Sequence, residues 1–355
     1  MPYCRRCGTK LEENARFCYN CGTSRVTRAP STPARPAVSL RKDPLVVAGI
    51  VSIAILVTAA IITAIIAVPI GSVNFNQTFQ DNHPNINTLN LNFQADSAQV
   101  DIIPLNVTDK NILIIVSAVG SKSIYSSKNN SIQVTFDNQT NNNQLTINSR
   151  IMNTGGSFTR NFAVTCTIYV NPTLRLNLNV TTQNGAISLA AEKSTTFQSV
   201  NLEARAGRVQ ATLQNATIGG NFSLETDAGS LYFGMSQSKV SENSTVNLQS
   251  NAGSVNMDVT QTKTLQGNLQ INAKTDLGSI DENLQIDGDV AARIISQTSL
   301  GSVHVNKNHF SGDQSPIQSN NYPGKSNIEI NNRTNLGSIV IDANYQSSVA
   351  PSTRN

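Results

Sequence analysis

Apolar residues follow two contrasting patterns along this chain of 355 residues. Residues 45–70 read LVVAGIVSIAILVTAAIITAIIAVPI, and none of these 26 residues is charged. A bilayer core of about 30 Å is crossed by roughly 20 apolar helical residues, so this stretch is long enough to span it with some tilt. The alternative, a buried helix of a globular domain, is shorter and carries a polar face. The pattern therefore predicts one transmembrane α-helix over residues 44–70.

After this stretch, apolar and polar residues alternate at period two in short runs that are separated by Asn, Gly, Ser and Pro. Alternation of this kind is typical of β-strands. Cys166 falls on the apolar side of one predicted strand, so we expect it to be a small buried core residue. A reactive or intermolecular thiol is the alternative for this cysteine.

From residue 182 onward the pattern repeats around seven glycines that stand 22, 22, 24, 25, 23 and 36 residues apart. An apolar residue lies seven positions before each glycine, and another lies two positions after it. The glycines are Gly185, Gly207, Gly229, Gly253, Gly278, Gly301 and Gly337. Recurrence at 20–50 residues indicates stacked units, each made of two strands and a tight glycine turn. Stacking would make Val255 and Ile280 neighbours, and the last, longer interval would hold a loop inserted between two units.

The sequence thus predicts a mainly β fold, with a β-solenoid over residues 74–345. An antiparallel sandwich of hairpins is the alternative. The region from about 87 to 342 resembles a prokaryotic family of adhesin-like proteins with β-strand repeats. The opening alternation, the stretch LRLNLNVTTQNGAISL at residues 174–189 and the recurring Gly-Ser-Ile or Gly-Ser-Val turns carry this resemblance. It implies a right-handed β-solenoid outside the cell and no catalytic residues.

Four of the five cysteines lie within the first 21 residues, as Cys4, Cys7, Cys18 and Cys21. Each Cys-x-x-Cys pair is followed by glycine, which accepts the positive φ of a metal-binding turn. Four thiolates suit one structural, tetrahedral Zn²⁺, which would supply most of the folding energy of so short a piece. Disulfides, idle thiols and iron are the alternatives. Residues 3–23 resemble the zinc ribbons at the N-termini of many prokaryotic membrane proteins, archaeal ones included. The two Cys-x-x-Cys-Gly turns, which we call knuckles, and Phe17 carry this resemblance.

Charge is distributed unevenly around the predicted span. Residues 1–43 hold nine Lys or Arg against three Asp or Glu, whereas no basic residue follows the span before Lys110. Basic flanks stay on the cytoplasmic side, so the zinc ribbon (residues 1–23) and a basic, Pro-rich linker (residues 24–43) are expected inside. The C-terminal domain is expected outside, followed by a disordered tail (residues 346–355). A cleaved signal peptide is less suitable, because its apolar part is shorter and closer to the N-terminus.

Residues that carry enzyme chemistry are sparse in the outer region. His83, His304 and His309 do not form a recognisable catalytic or metal-binding pattern, and His304 is expected to face outward from a strand. Asp281, Glu282, Asp287 and Asp289 form the densest acidic cluster, which we interpret as a solvated loop rather than a Ca²⁺ site. Candidate glycosylation sites are the asparagines of Asn-x-Ser/Thr sequons. They are Asn76, Asn106, Asn129, Asn138, Asn179, Asn215, Asn221, Asn243 and Asn332.

These features predict a single-pass protein of the cell membrane that displays an adhesin-like β-solenoid. Its expected partners are the membrane and an extracellular glycan, envelope component or protein, and no nucleic acid. The alternative function is an envelope-stress or signalling component whose zinc ribbon contacts a cytoplasmic protein. A carbohydrate-active β-helix enzyme is a third hypothesis, but the repeats display Asn, Ser, Thr and Gln rather than clustered acids and bases, so we predict no enzyme.

Overall fold

The computed structural model describes residues 3–12, 15–23, 71–107, 109–122, 132–153, 162–192 and 194–346. They belong to two compact units, which divide the chain after Thr63. The predicted linker (residues 24–43) and transmembrane helix (residues 44–70) lie outside the described residues, as does the tail beyond Gln346. Among the residues that are described, no helix is long and apolar enough to cross a membrane.

The C-terminal unit consists of β-strands, which fall into three groups along the chain. The first group precedes the glycine repeats: β1 (Gly71–Asp81), β2 (Thr88–Ser97), β3 (Gln99–Pro104), β4 (Ile112–Lys122), β5 (Ile132–Asn141), β6 (Gln144–Asn153) and β7 (Phe162–Val170). The second group carries the first five glycines: β8 (Arg175–Asn184), β9 (Ile187–Ala191), β10 (Thr196–Ala206), β11 (Val209–Gln214), β12 (Thr217–Ile218), β13 (Phe222–Ala228), β14 (Leu231–Ser236), β15 (Lys239–Val240), β16 (Ser244–Ala252), β17 (Val255–Gln261), β18 (Leu269–Leu277) and β19 (Ile280–Asp287). The third group contains the last two: β20 (Val290–Leu300), β21 (Val303–Asn308), β22 (Phe310–Ser311), β23 (Ile317–Ser319), β24 (Ser326–Leu336) and β25 (Ile339–Gln346).

Each glycine separates two strands that belong to different sheets. The strand before the glycine lies in sheet I, and the strand after it lies in sheet II; we call the two strands and their glycine a rung. Neighbouring rungs pair in parallel in both sheets, and Val255 is the register partner of Ile280, as predicted. Parallel pairing between the strands of neighbouring rungs rules out the antiparallel sandwich of hairpins for this region.

The apolar positions of the rungs face each other between the two sheets. All seven residues that precede a glycine by seven positions are buried, and so are six of the seven that follow one by two positions. The exception is Val303, which is half-buried because β21 is the edge strand of sheet II. Full burial of one such aliphatic side chain stabilises the fold by about 1.5–3 kcal/mol, so each rung depends on its neighbours for its stability.

The glycine turns stack so closely that no side chain fits. Gly253 has a φ of 150°, and a Cβ atom placed on it would lie 1.8 Å from the carbonyl oxygen of Gly229 in the neighbouring rung. A glycine carbonyl of this stack can also accept a bond from a buried hydroxyl that lies three residues before the glycine of a neighbouring rung. Thr275 Oγ1, three residues before Gly278, donates to the Gly253 carbonyl oxygen over 2.8 Å. The same bond recurs from Thr226, Ser250, Thr298 and Thr334. These hydroxyls are a part of the repeat that the glycine spacing alone did not reveal.

The last rung does not follow the order of the chain. The rung of Gly337 lies between those of Gly278 and Gly301, since β24 pairs with both β18 and β20, and β25 pairs with both β19 and β21. The long interval was expected to hold only an inserted loop. It instead carries β22 and β23. The strands that follow it, β24 and β25, insert between the rungs of Gly278 and Gly301.

The opening strands extend the stack in the other direction. β2 and β3 resemble a rung, with Ala98 between the two strands instead of a glycine turn. They pair in parallel with β8 and β9. Beyond β2 and β3 lie β6 and β7, followed by the antiparallel strands β5 in sheet I and β4 and β1 in sheet II. Cys166 lies in β7 with its side chain fully buried, which confirms the expectation of a core residue.

Candidate functional site

The N-terminal unit contains two knuckles of the same form. In the first, the Cys4 N–H donates to the Thr9 carbonyl oxygen over 2.8 Å, and the Gly8 N–H donates to the Cys4 carbonyl oxygen over 2.9 Å. Residues 18–23 repeat both bonds at equivalent positions, with lengths of 2.9 and 2.8 Å. Gly8 has a φ of 70°, in the left-handed region that favours glycine. The repetition places two Cys-x-x-Cys turns around one centre.

The four predicted ligands, Cys4, Cys7, Cys18 and Cys21, converge. Their sulfur atoms all lie within 4.8 Å of one another and form no disulfide. Cys4 Sγ lies 3.6 Å from Cys21 Sγ, and Cys7 Sγ lies 3.5 Å from Cys18 Sγ. A tetrahedral zinc ion with Zn–S bonds of about 2.3 Å holds its sulfurs roughly 3.8 Å apart, so the arrangement can bind one zinc ion. Cys4 and Cys18 are buried with Leu11 in a small core beside the site.

Two threonines contact the outer cysteines. Cys7 Sγ lies 3.2 Å from Thr9 Oγ1, and Cys21 Sγ lies 3.2 Å from Thr23 Oγ1. Hydrogen bonds from the hydroxyl and the backbone of Thr9 lower the pKa of the Cys7 thiol to about 6, which favours the thiolate that a metal requires. Sequence reasoning missed these threonines, although both knuckles read Cys-x-x-Cys-Gly-Thr.

The predicted acidic cluster does not form a cation site. Asp281 is exposed, Glu282 is buried, and Asp289 pairs with Lys325 over 3.0 Å. Within the described part of the chain, the four cysteines are the group of His, Cys, Asp or Glu whose ligand atoms converge. The interpretation as a solvated loop is wrong, because residues 280–287 form strand β19 and Glu282 points into the core.

Each of the three histidines contacts a different group, His309 Nδ1 lying 2.9 Å from the Tyr345 carbonyl oxygen. His83 Nδ1 lies 2.6 Å from the buried Asp81 Oδ2. His304 is exposed on β21, as predicted, with its Nε2 2.9 Å from Ser302 Oγ. Burial alone would raise the pKa of Asp81, but hydrogen bonds from His83 and from two asparagine amides outweigh it and lower the pKa. We therefore interpret Asp81 as a structural acceptor.

Most of the candidate glycosylation sites lie on the surface. The exposed ones are Asn76, Asn106, Asn138, Asn179, Asn215, Asn221 and Asn243. Asn129 lies outside the described residues. Asn332 must be withdrawn, because only 2% of it is exposed and its Nδ2, the atom that a glycan would modify, donates to Glu282 Oε2.

A column of amides follows the outer face of sheet I. The outward position six residues before the glycine is asparagine in five of the seven rungs. Asn201 Nδ2 donates to Asn179 Oδ1 over 3.0 Å, and Asn272 Nδ2 donates to Asn247 Oδ1 over 2.9 Å. Asn331 extends the second pair. We call these asparagines the amide column; where two of them stand on neighbouring rungs, one amide donates to the oxygen of the other.

Three leucines form an exposed apolar ridge beside the glycine turns. Leu277 and Leu300 are each the register partner of Leu336, so the three side chains stand on adjacent rungs. Their exposed fractions are 52% for Leu277, 45% for Leu336 and 67% for Leu300. The first four glycines are preceded by Asn or Ala instead. The stack therefore does not require leucine here, and an exposed apolar ridge of this kind is typical of an interaction surface. We call these three residues the leucine ridge.

Comparison with known proteins identifies the N-terminal unit. Residues 3–25 match the family of zinc-ribbon domains. No curated protein gives a significant match to the chain. Among solved structures, a proposed cell adhesion protein from Clostridium sporogenes ATCC 15579 aligns at 12% identity and a TM-score of 0.37, over 77% of this chain and 100% of that one. A proposed adhesin from Bacteroides fragilis NCTC 9343 aligns at 14% identity and a TM-score of 0.33, over 76% and 97%. At these values neither likeness carries an argument about this chain.

Proposed function

We propose that this protein is anchored in the cell membrane by a single helix over residues 44–70 and displays a right-handed β-solenoid that binds a component outside the cell. The uncharged length of the apolar stretch and the basic residues before it support the anchor and its orientation. The alternation of successive strands between two parallel sheets supports the solenoid. The zinc ribbon is then a cytoplasmic structural domain, in a compartment that keeps its thiols reduced.

The leucine ridge carries the proposal of binding. The ridge consists of leucines that leave about half of their surface or more exposed in the described chain and that Asn or Ala replaces in the earlier rungs. The amide column adds a polar, sparsely charged face with a repeat of about 4.8 Å, which suits the hydroxyl groups of a glycan. A protein or envelope component would bind to the leucine ridge, and a glycan would bind to the amide column.

Binding by the full chain in lipid nanodiscs tests the proposal. The probes are immobilised glycans and envelope fractions of the producing cell. We expect replacement of all three ridge leucines by alanine to abolish retention on an envelope probe, with an unchanged unfolding temperature, because alanine already precedes several glycines. Thr212→Ala, on an exposed position of β11, is the matched control. Equal retention of the ridge variant and the wild type would contradict the proposal, and digestion of a polysaccharide probe would favour the enzyme hypothesis.

A second candidate function is the contact of the zinc ribbon with a cytoplasmic protein. Three aromatic side chains of this small unit are largely exposed: Tyr3 at 62%, Phe17 at 63% and Tyr19 at 79%. Aromatic residues are enriched where proteins meet. A photo-crosslinking residue at position 19 in living cells would then capture a defined cytoplasmic protein, and one at Lys10 would serve as the control. Crosslinking of position 19 to an extracellular protein would contradict this function.

A further inference from the structure

Three polar side chains form a cluster inside the core of the last rungs. Glu282, Ser296 and Asn332 have exposed fractions of only 3%, 5% and 2%. The register partners of Glu282 in the neighbouring rungs are Met257 and Ile341, so a carboxyl group occupies a place that is apolar on both sides. Asn332 and Ser296 are register partners of each other.

The hydrogen bonds of this cluster leave two acceptor oxygens without a donor. Asn332 Nδ2 donates to Glu282 Oε2 and, over 3.4 Å, to Ser296 Oγ. The other carboxyl oxygen of Glu282, Oε1, and the amide oxygen of Asn332, Oδ1, are both buried without a hydrogen-bond partner. Buried acceptors that lack a donor are rare because they lose the hydrogen bonds of water without replacement. Both orphaned atoms are acceptors, so the missing group is a hydrogen-bond donor.

We propose that Glu282 carries a proton in the folded protein and donates it from Oε1 to Asn332 Oδ1. The carboxylic acid and the carboxamide then form a ring of two hydrogen bonds, one in each direction. A single proton provides a partner for both orphaned oxygens, and no other donor is needed. The cluster is thus a buried proton site.

The surroundings of Glu282 contain no charge that would compensate an ionised carboxylate. Strands β17, β18, β20, β24 and β25 pack around it, and on these described strands the core-facing titratable side chain is Tyr345, whose hydroxyl donates to the Gly288 carbonyl oxygen. The charged residues of these strands and of β19 occupy alternate positions that face away from the core. They are Asp258, Lys274, Asp276, Asp281, Asp287, Arg293, Glu329, Arg333 and Asp342. Asp287, at the end of β19, has one buried oxygen, Oδ1. Burial raises the pKa of Glu282 to about 7, although the bond from Asn332 opposes this shift.

The proton site joins three rungs and depends on pH. Glu282 belongs to the rung of Gly278, Asn332 to the inserted rung of Gly337, and Ser296 to that of Gly301. A glutamate in the unfolded chain ionises near pH 4.5, before the folded one does near 7. The stabilising contribution is therefore complete below pH 4.5, falls as the pH rises through this window and is lost above about pH 7. The difference between the pKa values of the unfolded and folded states corresponds to a roughly 300-fold change in the unfolding equilibrium constant.

Denaturant unfolding of the full chain between pH 5 and pH 8 tests this inference with Glu282→Gln. The glutamine amide donates to Asn332 Oδ1 as the protonated acid does, but it does not titrate. We expect the wild type to lose stability toward pH 8, the variant to lack this component, and the variant to be the more stable protein at pH 8. Asp281→Asn, at an exposed neighbouring position, should keep the wild-type pH profile. A Glu282→Gln variant with the wild-type pH slope would overturn the inference.

Infrared spectroscopy provides a test that does not depend on the folding of a variant. The wild type at pH 6 should show the carbonyl stretch of a buried protonated carboxyl, and this band should disappear with a midpoint near pH 7. The band should persist in Asp281→Asn and be absent from Glu282→Gln. Absence of such a band from the wild type at pH 6 would overturn the inference.

Discussion

Thr334 Oγ1 donates to the carbonyl oxygen of Gly278 over 3.0 Å, although 56 residues separate the two along the chain. The bond joins the last rung to a rung formed much earlier. The equivalent bond from Thr275 to Gly253 links two rungs that are consecutive in the sequence. The same hydroxyl contact therefore joins rungs that are consecutive in the sequence and rungs that are distant in it. The contact depends on the stacking of the rungs and not on their order along the chain.

Replacing Thr275 by Val tests this contact. Valine keeps the shape of threonine but removes the donor from a buried carbonyl, so we expect a loss of about 1–2 kcal/mol in the free energy of unfolding. Thr212→Val, at an exposed position, should change stability by less than about 0.5 kcal/mol. Equal effects of the two substitutions in denaturant unfolding would show that the hydroxyl ladder is not stabilising.

Val255 and Asn256 provide a contrast within one strand. Val255 is fully buried, whereas Asn256 points to the opposite side and is half-buried. Val255→Asp places an unpaired charge between the sheets and should cost on the order of 3–5 kcal/mol. Asn256→Asp should be nearly silent, because its side chain remains in contact with water. Similar unfolding curves for the two variants would contradict the stacked arrangement.

The zinc ribbon should depend on its metal independently of the β-strand unit. Cys18→Ser removes one of four ligands, so we expect loss of zinc and unfolding of residues 3–23, because the metal supplies most of the folding energy. The thermal transition of the strands should not change. Metal analysis and proteolysis check this result, with Cys166→Ala as the control that keeps one zinc per chain. Full zinc occupancy in Cys18→Ser would contradict the site.

The repeats and the cysteine site were predictable because each is encoded in local spacing. A glycine with apolar residues at fixed distances specifies a strand, a turn and a strand, and two Cys-x-x-Cys-Gly knuckles specify a tetrahedral sulfur site. The threonines three residues before the glycines were equally visible, but hydroxyls are so frequent in this chain that they did not stand out.

The inserted last rung and the buried carboxyl were not predictable from spacing. The place of the Gly337 rung depends on pairing across 59 residues with Gly278, which the length of the interval permits but does not specify. Glu282 was interpreted as one of several solvated acids. Its position four residues after Gly278 matches that of the buried Met257 after Gly253, and alignment of the rungs would have shown that it faces the core.

Protease treatment of intact cells that carry a different tag at each end of the chain tests the proposed surface display most directly. Five basic residues from Arg25 to Lys42 precede the apolar stretch, and none follows it before Lys110, so the N-terminus should lie inside. We expect external protease to remove the C-terminal tag and to spare the N-terminal tag until the membrane is permeabilised. Digestion of the N-terminal tag in intact cells, or protection of the C-terminal tag, would contradict the account.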